Sequence, residues 1–65
     1  MIETNLMKYV PKKIQPFVTV LYKQCAGVYA LHMNIEGQEI EGVCDGVKEI
    51  TWAAKYMMEH REFNF

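Results

Sequence analysis

A chain of 65 residues holds one hydrophobic core and not two, and a domain this small buries only about 60% of the surface its unfolded form exposes. Hydrophobic residues nevertheless make up 51% of it, with five Met, one Trp, four Tyr and three Phe, an apolar share that leaves surface over for a partner. The net charge of -1 excludes both the overall basicity of a typical nucleic-acid binder and the strong acidity of a DNA mimic.

Charge is unevenly spread along the chain. Between Thr4 and Ile35 the formal charges are Lys8, Lys12, Lys13 and Lys23, whereas Glu36, Glu39, Glu41, Asp45 and Glu49 face only Lys48 in the stretch that follows. A basic first half and an acidic second half suit pairing within the chain, self-association or an outside partner.

Residues 1–15 read as an amino-terminal arm. Ile2, Leu6, Met7 and Val10 fit a helical turn and a frayed strand equally well, and Pro11 and Pro16 end either one. The arm is expected to pack loosely on the domain or on a second subunit.

A β-meander is expected over residues 17–44. Phe17 to Lys23 is a strand by composition, rich in β-branched and aromatic residues. A return through Gln24 to Gly27 would set Val18, Val20 and Tyr22 opposite Met33, Leu31 and Tyr29, and would leave Phe17, Thr19, Leu21 and Lys23 on the other face. The strongest signal runs from Val28 to Cys44. Alternation on both sides of Glu36-Gly37 marks a hairpin, because glycine supplies the positive φ of a tight turn. Paired positions then sum to 73, so that Met33 faces Ile40, Leu31 faces Gly42 and Tyr29 faces Cys44. The opposite face receives His32 against Glu41 and Asn34 against Glu39. A slip of one residue would scramble this sorting.

The last element is a helix over residues 46–62, with Asp45 as its N-cap. Val47, Ile50, Ala54 and Met57 recur at three- and four-residue steps as its core stripe. Trp52 and Tyr56 form a flanking stripe with Ala53 between them, and Phe63-Asn64-Phe65 follows as a hydrophobic tail. The fold class is therefore α+β: a single domain of three antiparallel strands with one carboxy-terminal helix across the apolar face.

Chemistry finds little footing. The chain has no serine and no glycine-rich phosphate loop. Cys25, His32, Cys44 and His60 follow no zinc-ligand spacing, and the register points His32 away from the helix, so no metal and no cofactor is expected. His32 reads as an exposed partner of Glu41. Cys44 precedes the helix start, where the dipole favours a thiolate, and Cys25 falls at the same end of the sheet. The pair lacks Cys-Xaa-Xaa-Cys spacing but raises a thiol-based redox sensor as one reading. The start of the chain lacks a continuous apolar run and a small-residue cleavage site, and no stretch reaches about 18 apolar residues, so a cytoplasmic address is the default expectation.

The leading expectation is a non-enzymatic interaction protein, a homodimer, that regulates or inhibits a larger partner through Glu36, Glu39, Glu41, Trp52, Tyr56 and Phe63. The alternative is a nucleic-acid binder using Lys8, Lys12, Lys13 and Lys23, which predicts steep loss of affinity with salt. The compact plan resembles that of small accessory proteins of phages and other mobile elements, anti-CRISPR inhibitors among them. That likeness is of plan alone, without a shared motif, and assigns no residue.

Overall fold

The computed structural model describes residues 1–62. Two short 3-10 turns, Thr4–Tyr9 and Gln15–Phe17, lead into strands β1 (Val18–Cys25), β2 (Val28–Ile35) and β3 (Gln38–Asp45) and a helix α1 (Val47–His60). The strands form one antiparallel sheet in the order β1-β2-β3. The helix and the arm share one face of that sheet, and among the described residues nothing covers the other.

The β2–β3 hairpin has the expected register throughout, from Ile35 opposite Gln38 to Val28 opposite Asp45. Glu36 (φ 53°) and Gly37 (φ 85°) both take positive φ, the turn geometry whose twist matches that of the flanking strands. The Asn34 side chain adds a local tie by accepting from the Gly37 N–H at 3.2 Å.

The β1–β2 pairing departs from the expected one. Val18 stands opposite Met33, but Val20 is opposite His32 and Leu21 opposite Leu31, with irregularities between Val18 and Val20 and between Lys23 and Cys25. An extra residue in one strand is left unpaired and shifts every later side chain to the opposite face. Leu21 therefore turns inward and is fully buried, while Val20 and Tyr22 lie half-buried on the open face. The return is also tighter than a four-residue turn, since Cys25 already pairs with Val28 around Ala26-Gly27.

The arm is part of the core. Leu6, Val10 and Ile14 are buried among Val18, Leu21, Leu31, Met33, Ile50 and Met57. Their spacing of four residues is interrupted by Pro11, and polar bonds hold the break in place. Gln15 Nε2 donates to the carbonyls of Met7 and Val10, both at 3.1 Å, and the Thr51 hydroxyl on α1 donates to the Tyr9 carbonyl. This corrects the expectation of loose packing: three strands and one helix leave part of the sheet's inner face bare, and the arm's aliphatic side chains fill it.

The helix, Val47–His60, and its cap each start one residue later than expected. Gly46 is the N-cap, at φ 89° and ψ 157°, a backbone region that favours glycine. Its N–H donates to the Gly27 carbonyl at 2.8 Å, which ties the helix start to the β1–β2 turn. Asp45 makes no side-chain cap; instead its own N–H donates to Glu49 Oε1 at 2.9 Å. Ile50, Ala53, Ala54 and Met57 form the buried stripe, so Ala53 belongs to the core rather than to the flank. Arg61 ends the helix in the left-handed region, its N–H bonded to the Met57 carbonyl.

Candidate interaction surface

The two edges of the sheet are built differently. Along β1, Ile2 forms a parallel bridge to Leu21, Glu3 N–H donates to the Leu21 carbonyl at 2.7 Å, and Leu21 N–H donates to the Met1 carbonyl at 2.9 Å. The Glu3 carboxylate also accepts from the Lys23 N–H at 3.2 Å. Two bulges and the arm thus close that edge.

Strand β3 has neither a bulge nor a covering segment among the described residues, and its one capped edge group is the Asp45 N–H, which donates to the Glu49 carboxylate. It runs eight residues, Gln38–Asp45, in unbroken register and without proline, so that what blunts this edge is the charge of Glu39, Glu41 and Asp45. A two-residue hairpin makes Ile35 and Gln38 a hydrogen-bonded pair, and alternation along an antiparallel ladder then turns the N–H and C=O groups of Glu39, Glu41, Val43 and Asp45 outward. The Asp45–Glu49 bond agrees with that parity, since an outward N–H is free to meet a side chain. Among the described residues nothing pairs with the outward groups of Glu39, Glu41 and Val43.

Beside this rim lies a groove of about 670 Å³ lined by Val43, Asp45, Lys48, Glu49 and Trp52. Val43 and Trp52 are 52% and 45% exposed, values that leave large apolar surface on either side of the strand edge. Trp52 is the first ring of a ladder on the outer flank of α1: its ring centroid is 5.2 Å from that of Tyr56, and Tyr56 is 4.3 Å from His60. Spacings of four residues place these rings one above another on a helix.

The expected binding residues divide accordingly. Glu39 and Glu41 stand on the open face of β3. Glu39 accepts from Thr19 Oγ1 at 2.9 Å and from Asn34 Nδ2 at 3.3 Å, so a polar row crosses all three strands. Trp52 and Tyr56 flank the same rim from the helix side. Glu36 is set apart at the turn tip, where Arg61 Nη1 meets its carboxylate at 2.5 Å; with Gln38 Nε2 on the Arg61 carbonyl, it fastens the helix end to the hairpin. Phe63 lies outside the described residues. Asp45, Val43, Lys48 and Glu49 were not singled out from the sequence as a site. Their alternation was legible there, but their place along an uncovered edge depends on which segments cover the sheet.

The remaining candidates are not gathered. Lys8, Lys12 and Lys13 are exposed on the arm, with Lys8 Nζ 5.4 Å from the Tyr9 ring centre, and Lys23 is well along β1. His32 is the register partner of Glu41, but the ion pairs among the described residues are Glu59–His60 and Glu36–Arg61. Among the described residues no three His, Cys, Asp or Glu side chains converge as metal ligands, and no helix is long and apolar enough to cross a membrane.

Cys25 is exposed and Cys44 buried, both as free thiols. Cys25 pairs beside Val28 on β1 and Cys44 beside Tyr29 on β3, with the whole of β2 between them. Strands two places apart are separated by roughly 9.5 Å, beyond the span of about 7 Å that a disulfide bridges. Burial, with Glu49 and Asp45 as lesser causes, pushes the Cys44 thiol up to about 12. The expectation of a thiolate favoured by the helix dipole is therefore corrected: loss of water and nearby carboxylates outweigh the dipole. No family model, curated protein or solved structure matches this chain.

Proposed function

We propose that this chain is a non-catalytic protein-interaction module that regulates or inhibits a larger partner by engaging it along the β3 rim. The observation that carries this reading is the contrast between the two edges, one closed by bulges and the arm, the other regular over eight residues and without a further strand among the described residues. An open edge offers main-chain donors and acceptors to an added strand, and the exposed Val43 and Trp52 beside it offer apolar contact. Aromatic side chains in such places supply large contact area at modest ordering cost. Lys8, Lys12 and Lys13 lie exposed along the arm, the surface that a nucleic-acid binder would use, and the reading adopted here rests instead on the rim.

The test is Val43→Pro. Residue 43 directs its N–H outward, so proline removes no bond to β2, and its exposed side chain contributes little to the core. Tagged wild-type protein should capture its partner from the native cells, and the variant should lose that capture while keeping a cooperative thermal melt. Equal capture by a folded variant would remove the β3 edge from the reading.

A further inference from the structure

We infer that the occupant of the β3 rim is an extended segment of another protein carrying Lys or Arg at alternate positions, added to the sheet as a fourth strand. The inference rests on the rim being the interaction surface and concerns the chemistry of what binds there.

The outward-turned residues of β3 are also those whose side chains stand on the open face, namely Glu39, Glu41, Val43 and Asp45. Three of the four are acidic, and the strand has no cation of its own. A strand laid against this edge places every second side chain directly beside that row. Opposite charges in such cross-strand pairs stabilise the pairing and like charges oppose it. The intervening side chains of the added strand fall on the helix side, toward the groove that Lys48, Glu49 and Trp52 line. The matching sequence is therefore basic and apolar in alternation. The segment must come in extended, because the edge supplies hydrogen bonds only to a backbone at strand geometry.

The same row argues against a second copy of this chain. Antiparallel pairing of β3 with β3 about a two-fold sets Glu39 beside Asp45 in one register, Glu41 beside Glu41 in the next, and Glu41 beside Asp45 in a third. Each brings carboxylates of the two chains together, with no lysine or arginine on either strand to offset them. The acidic row thus does two things: it keeps copies apart and selects a cationic partner.

The probe is a blocked eight-residue peptide of alternating Lys and Val, matched in length to β3, followed by amide NMR on the intact protein. The peptide should protect the amides of Glu41 and Val43 from exchange. A Glu and Val peptide of the same length should bind at least about tenfold more weakly, and Glu41→Lys should cost a similar factor. A third peptide, N-methylated at every backbone nitrogen, keeps the charge but has no N–H to donate and meets the edge with methyl groups that block strand pairing, and should protect neither amide. Three results would overturn the inference: binding unchanged by Glu41→Lys, equal amide protection from the acidic peptide, or protein that dimerises through β3 with Glu41 and Val43 protected in the absence of peptide. Absence of binding by all peptides, with native capture still lost in Val43→Pro, would refute the basic segment and leave the rim reading standing. A Lys and Val peptide that binds normally to Val43→Pro would refute strand addition itself.

Discussion

Two cysteines of identical intrinsic chemistry end in opposite environments, and the difference sets two measurable properties. Cys25 sits exposed beside a turn, whereas Cys44 is fully buried under the helix start. Cys25 should react with a thiol reagent in the native protein, while Cys44 should react only at the rate of opening, a difference that a two-phase thiol titration reads directly. Burial also links Cys44 to stability. Its thiol is raised from 9.0 to about 12, so above pH 9 the unfolded chain sheds a proton that the folded chain retains. The fold then loses stability as pH rises through that window. Melting temperatures measured on either side of pH 9 should fall more steeply for the wild type than for Cys44→Ala, which has no such proton; parallel curves would contradict it. The sequence placed Cys44 correctly beside Tyr29 on the core face. It did not tell how completely water is excluded there, because that depends on how the helix packs over the sheet.

At the scale of elements, the bulge in β1 decides which of its side chains enter the core. Period-two reading of Val18 to Tyr22 selects Val20 and Tyr22, but the irregularity after Val18 substitutes Leu21. Leu21→Ala should therefore cost about 2–5 kcal/mol in a denaturant melt, as expected for emptying a sealed core position. Val20→Ala, half-buried on the open face, should cost under about 1 kcal/mol. Reversed magnitudes would mean that the strand pairs without the bulge. The β2–β3 hairpin was legible because its signal is local: strict alternation on both sides of a glycine turn leaves one register that sorts apolar from polar. Strand β1 is apolar on both faces, since Val18, Val20, Leu21 and Tyr22 could serve either, and alternation alone does not choose between them. The helix was legible for the same reason as the hairpin, through the spacing of Val47, Ile50, Ala54 and Met57. Its cap was not, because Gly46 takes its conformation where the chain crosses from β3 to the Gly27 carbonyl.

For the whole molecule, the arm determines both core size and edge exposure. Leu6, Val10 and Ile14 extend a core that three strands and one helix leave incomplete, and the first three residues close β1 through backbone bonds. Deleting residues 1–10 should therefore abolish the cooperative thermal transition and expose apolar surface to a hydrophobic dye, whereas an arm that merely rested on the domain would leave the melt intact. The sequence by itself determined the order of strands and helix, the β2–β3 register, the Ile50, Ala54 and Met57 positions of the α1 core stripe and the acidic face of β3, since each follows from periodicities within one or two adjacent segments. Only the tertiary structure decided the slip in β1, the entry of the arm into the core and the contrast between a closed β1 edge and an open β3 edge. Those outcomes depend on contacts between segments far apart in the chain, where several arrangements satisfy the local pattern and the one that buries the most apolar surface with its backbone groups paired prevails.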